Sequence, residues 1–88
     1  MALPVTMYVG SWCPYCDRAR TLLTKKGVAF TEVNVEDDPA KRTEMMTRSG
    51  RRSVPQIFIG ERHVGGSDDL RELDRTGELE RLIKTTAG

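Results

Sequence analysis

Cys13 and Cys16 are the only cysteines in an 88-residue chain, and they stand in the run Gly-Ser-Trp-Cys-Pro-Tyr-Cys-Asp. A thiol reacts as its thiolate, yet a free cysteine with a pKa of about 8.5 is mostly protonated at neutral pH. Something near Cys13 must stabilise the anion if the pair is a reagent. Residues 5–10 are short, β-branched and aromatic, and in residues 13–26 Cys16, Ala19, Leu22 and Leu23 recur at helical spacing. A strand therefore turns into a helix at Cys13. The N–H groups of Tyr15 and Cys16 can point at the Cys13 sulfur there, aided by the positive end of the helix dipole. Pro14 suits the first helical position, having no N–H to leave unpaired and a preset φ.

Three residues on, Cys16 lies nearly one turn away on the same side, at a separation that suits a disulfide. The two thiols should play unequal parts. Cys16 continues the buried stripe of Ala19 and Leu23 and is expected to resolve, whereas Cys13 at the helix tip is expected to attack. An inert buried pair fits a strand-to-helix junction poorly. A zinc site needs four ligands, and the single histidine, His63, has no second C-x-x-C to join it. No metal is expected.

The elements that must position this pair can be followed along the chain. Gly27 closes the first helix, and residues 30–35 alternate apolar and polar like a second strand, giving a β-α-β unit with a right-handed crossover. Asp38 followed by Pro39 marks the start of a helix that runs to about Ser49 and stops at Gly50. Residues 57–59 and 62–64, around Gly60 and Glu61, suggest a tight hairpin. After Gly65 and Gly66, Ser67 is expected to cap a helix to about Arg75, with Leu70 and Leu73 inward, and a last short helix spans roughly residues 78–83. The order β-α-β-α-β-β-α, with that extra turn, predicts an α/β fold: a four-stranded mixed sheet with helices on both faces.

Composition narrows the function. A formal net charge of +1 with interleaved signs gives no field suited to nucleic acid or an anionic membrane. No apolar run approaches the roughly 18 residues of a membrane span, and the start of the chain has no basic n-region or signal-type cleavage site. One soluble domain, monomeric and cytoplasmic, is the expectation. In a reducing cytoplasm a C-x-x-C near a β-α-β pattern points to thiol redox chemistry and not to a permanent staple.

The chain as a whole resembles the glutaredoxin family, in particular its small dithiol bacterial members. The resemblance rests on C-P-Y-C at 13–16, on S-V-P at 53–55 where the family usually has T-V-P, on the run PQIFIG, and on G-G-S-D-D-L at 65–70. It implies a thioredoxin fold and a glutathione-dependent thiol–disulfide oxidoreductase that reduces protein disulfides by a dithiol route and glutathionylated proteins by a monothiol route. Glutathione is the reductant, and no tightly bound cofactor is implied. Ribonucleotide reductase and similar reductive enzymes are implied electron acceptors.

By the same resemblance, Val54 and a cis Pro55 pair with the cysteine of glutathione, and Tyr15 lines the groove. Gly66, Ser67 and Asp68 take the γ-glutamyl end, its carboxylate on helix N–H groups and its ammonium on Asp68. Arg42, with Arg52 as a second candidate, takes the glycine carboxylate. Two competing implications stay open: a [2Fe–2S] carrier using Cys13 and glutathione from two protomers, which Pro14 disfavours, and a redoxin served by thioredoxin reductase, which the Gly-Gly-Ser-Asp run disfavours. The chain also departs from its relatives. Gly10 stands where many carry a lysine, Trp12 replaces a small or polar residue, and Asp17 brings a negative charge beside the thiolate. Trp12 is expected either to pack or to touch substrate.

Overall fold

Val5–Val9 (β1) is almost continuously apolar because both of its faces are covered: Val5, Met7 and Val9 are buried on one side and Tyr8 on the other. The computed structural model describes the backbone of residues 4–87 and the side chains of residues 4–82. The remaining elements are α1 (Pro14–Lys25), β2 (Thr31–Asn34), α2 (Pro39–Ser49), β3 (Gln56–Ile59), β4 (Arg62–Gly65), α3 (Ser67–Arg75) and α4 (Glu78–Ala87). The strands lie in the order β2-β1-β3-β4. β1 pairs parallel with β2 and antiparallel with β3, which in turn pairs antiparallel with β4. This is the expected mixed sheet.

Two clusters hold the layers together. On one face Cys16, Ala19 and Leu23 of α1 and Leu70 of α3 pack with Leu79 against Met7, Ile57 and Ile59. On the other, Met45 of α2 packs against Tyr8, Val35 and Phe58. The helix signals behave as their chemistry dictates. Asp38 caps α2 by accepting the Ala40 N–H at 2.9 Å, Pro39 follows it, and Gly50 ends the helix at φ 72°.

Several boundaries differ from the sequence pattern: β1 stops at Val9, β3 starts at Gln56 and β4 runs on to Gly65. The N-cap of α3 is Gly66 and not Ser67, which is the first helical residue, and the Asp69 carboxylate reaches back to accept the Gly66 N–H at 2.9 Å. β2 is shorter than residues 30–35 by one at each end, although Val35 N–H still bonds to Val9 O. α4 continues beyond residue 83 to Ala87.

Leu23 is fully enclosed between α1 and the sheet. Leu23→Ala should cost about 2–5 kcal/mol, seen as a lower urea midpoint with an unchanged slope.

Candidate active site

The register of the sheet decides what meets Cys13. Because β1 and β3 run antiparallel with Tyr8 opposite Gln56, the chain leaving β1 and the chain entering β3 lie side by side at one end of the sheet. β4 ends there too, with Gly65 opposite Ile57. Three segments distant in sequence, 10–13, 53–55 and 65–68, thereby share one edge.

Cys13 is the N-cap residue of α1, in extended conformation, and its Sγ accepts the Cys16 N–H at 3.1 Å. Of the two amides expected at this sulfur, Cys16 makes the bond. The two cysteines are joined in a disulfide with their Cα atoms 5.1 Å apart, inside the usual range. Their exposure differs: Cys16 is 1% exposed among Ala19 and Leu23, and Cys13 is half-buried at the rim. When the pair is reduced, the same Cys16 N–H and the helix N-terminus stabilise a Cys13 thiolate.

The charges beside this sulfur differ from what the chain alone suggests. Asp17 does not stand as a free negative charge, because Arg20 bonds it at 2.6 Å and also binds Glu32 through Nε and Nη2 at 2.7 Å. The Arg20 guanidinium holds the Glu32 carboxyl below its ordinary range. At Gly10 the space that a larger residue would fill is taken by Glu36: a Cβ there would lie 2.6 Å from Glu36 Oε2, and the same carboxylate accepts the Ser11 N–H. Trp12 packs against nothing. It is fully exposed, with φ at 53°, so the packing alternative is excluded and the ring stands free beside Cys13.

Across from the sulfur, Val54–Pro55 is a cis peptide, as expected, and Val54 O lies 3.9 Å from Cys13 Sγ. Tyr15, Val54, Pro55, Gly66, Ser67 and Asp68 converge on one cavity of about 270 Å³. Arg42, half-buried on α2, does not line it, and neither does Arg52. Arg51 does. Arg51 and Arg52, adjacent on a loop, cannot be ranked from sequence, since only the direction each side chain takes decides which one reaches the cavity. A larger hollow of about 420 Å³ between α1 and α3 shares Ser67 and Asp68 but not Val54 or Pro55, and neither cysteine lines either cavity.

The two neighbouring acids of α3 differ in availability. Asp69 is engaged by the Gly66 N–H and by Arg51 Nη1 at 3.1 Å. The Gly66 N–H, more than Arg51, holds its carboxyl below the usual carboxylate range, against the opposing effect of burial. Asp68 has no ion-pair partner among the described residues and stays open to a ligand cation. Gly65, and not Gly66, is the residue that sterics demand: its φ is 119° and a Cβ would run into the Asp69 carboxylate, whereas a Cβ on Gly66 would meet Pro55 O at an ordinary 3.5 Å.

A sulfur pair with one half-buried and one fully buried member, at a helix N-terminus opposite a cis proline, can pass electrons by thiol–disulfide exchange. With this sheet order, it defines a thioredoxin-fold thiol–disulfide oxidoreductase. The family model described as Glutaredoxin matches residues 5–64. Glutaredoxin 3 of Escherichia coli (strain K12) is 52% identical over 80 residues, covering 91% of this chain and 96% of its own. Among solved structures, the solution structure of a glutaredoxin from Brucella melitensis superposes with a TM-score of 0.84 at 49% identity, covering 96% of this chain and 91% of that one. A buckwheat glutaredoxin–glutathione complex superposes with a TM-score of 0.87 at 26% identity, covering 97% and 80%. The chain belongs to the glutaredoxin family.

Gly65→Ala should destabilise the fold by about 1–3 kcal/mol, while Gly66→Ala should stay within a few tenths, measured by urea unfolding. Asp69 has a folded-state pKa below its unfolded value of about 3.9, so its stabilisation is complete above that pH and fades as pH falls through the folded pKa. The stability gap between wild type and Asp69→Asn should accordingly close on acidification from about pH 5 to pH 2.

Proposed function

We propose that the protein is a glutathione-dependent oxidoreductase that reduces glutathionylated proteins and protein disulfides. The observation that carries this reading is the convergence of Tyr15, Val54, Pro55, Gly66, Ser67 and Asp68 on one cavity, whose Val54 also reaches Cys13, its carbonyl oxygen 3.9 Å from Sγ. The similarity to a glutaredoxin solved with glutathione supports it. In this reading the N–H groups opening α3 take the γ-glutamyl carboxylate, Asp68 takes the ammonium, and the backbone of Val54 pairs with the central cysteine. Arg51 lines the cavity and so suits the glycine carboxylate better than Arg42.

In the monothiol route the Cys13 thiolate attacks the glutathione sulfur of a mixed disulfide, and the substrate leaves as a thiolate that takes up a proton. A second glutathione thiolate then attacks the bound glutathione sulfur, which releases glutathione disulfide and restores the Cys13 thiolate. In the dithiol route Cys13 attacks a protein disulfide, and Cys16 displaces the remaining protein thiol by forming the Cys13–Cys16 bond. Two glutathiones reduce that bond and leave as one disulfide. The buried position of Cys16 fits an intramolecular resolving role, since it reaches the Cys13 sulfur and little else. We place this activity in the cytoplasm, in a monomer, with ribonucleotide reductase and similar reductive enzymes among the acceptors.

A coupled assay with glutathione, glutathione reductase and a glutathionylated peptide tests the assignment. Cys13→Ser should fall to background. Cys16→Ser should keep deglutathionylation and lose reduction of a protein disulfide. Turnover by Cys13→Ser, or wild-type turnover with thioredoxin reductase but none with glutathione, would sink the proposal.

A further inference from the structure

Gln56, 1% exposed, is the buried polar side chain of the core among the described residues, and both ends of its amide are engaged. Its Nε2 lies 2.9 Å from Ser53 O and 3.4 Å from Ser53 Oγ, and its Oε1 lies 2.7 Å from His63 Nε2. A carbonyl oxygen only accepts, so the NH2 end of the amide must face Ser53. Oε1 then faces His63, and Nε2 of that ring must carry the hydrogen. Burial pushes the His63 pKa down and the Arg51 charge adds to this, with Asp69 opposing, which favours the neutral ring, and the bond to Gln56 Oε1 selects its Nε2–H form. The ring is also held in place by its cross-strand neighbour: His63 pairs with Phe58, ring centroids 4.9 Å apart, and Arg48 lies 4.1 Å from the Phe58 centroid.

The Ser53 carbonyl is half of a rigid peptide unit whose other half is the Val54 N–H. In a trans peptide the two point in opposite directions, and the cis bond of this loop is the next one, Val54–Pro55. Drawing Ser53 O inward toward Gln56 therefore turns the Val54 N–H outward, at the residue whose own carbonyl lies 3.9 Å from Cys13 Sγ. We infer that His63 and Gln56 are positioning residues that aim the Val54 N–H at the ligand: His63 fixes the Gln56 amide, the amide fixes Ser53 O, and the peptide plane transmits the direction. The inference rests on the glutathione reading, because the ligand group that meets the Val54 N–H is taken to be the glutathione cysteine. It also gives the hydroxyl at position 53 a task, as a second acceptor for the Gln56 amide.

Two measurements test it. Nitrogen-15 NMR of the folded wild type should show His63 with its proton on Nε2, and a proton on Nδ1 alone would overturn the inference, whatever the variants do. In the deglutathionylation assay, His63→Leu should raise the KM for the glutathionylated peptide and for glutathione by about five- to tenfold with kcat little changed. His63→Gln, whose amide can donate to Gln56, should restore most of the loss. The double variant Gln56→Leu/His63→Leu removes the Gln56–His63 pair and leaves Ser53 O without its donor, so KM should stay raised. A wild-type KM in His63→Leu or in the double variant would refute the positioning role. Wild-type protein inactive with glutathione would instead refute the glutathione reading, and the two failures are separable.

Discussion

At the first turn of α1 a sulfur occupies the position that a serine or aspartate oxygen ordinarily fills. The Cys16 N–H, one of the amides that a helix leaves without an internal partner, donates to Cys13 Sγ. One hydrogen bond thus serves two ends. It caps the helix, and in the reduced protein the same N–H faces the Cys13 sulfur, where a donor favours a thiolate. Pro14 beside it has no amide to compete, and Cys16 itself is anchored by the apolar stripe that attaches α1 to the sheet. Reactivity at Cys13 therefore depends on the packing of Ala19 and Leu23 as much as on any polar neighbour.

The charge pattern around the site is more balanced than a list of its residues suggests. Asp17 would oppose a thiolate, but Arg20 draws its carboxylate toward β2, where Glu32 completes the bridge. Asp69 is committed to the Gly66 amide and Arg51, and that commitment separates it from Asp68, which differs from it by one position and remains open. Adjacent acids on one helix turn both line the cavity, and they differ because only Asp69 is held by the Gly66 amide and Arg51.

Beneath the cavity, polar contacts do what an apolar core cannot. Hydrophobic burial holds β1 and β3 together but is indifferent to the direction of a particular carbonyl, whereas the Ser53–Gln56–His63 chain has only one satisfied arrangement. The same end of the sheet carries the Arg51–Asp69 pair above it. The two walls of the cavity are in this way tied to the sheet by directional bonds, and the groove keeps a defined shape between apolar layers.

The sequence by itself determined whatever depends on neighbours a few residues apart. The C-P-Y-C turn, the Asp38–Pro39 helix start, the stop at Gly50, the hairpin at Gly60 and the buried stripe from Cys16 to Leu23 all follow from local dihedral preferences and helical spacing, and the structure contains each of them. Tertiary structure decided the rest. Which arginine lines the cavity, why Gly65 and not Gly66 must be glycine, that Trp12 is fully exposed, and that Gln56 braces the loop before it through a histidine seven residues on all turn on the sheet register and the side-chain directions it imposes. Composition and spacing carry no record of those directions. They arise only when antiparallel pairing of β1 with β3 and of β3 with β4 brings distant segments to one edge, because the hydrogen bonds that select among neighbouring residues form across strands and not along the chain.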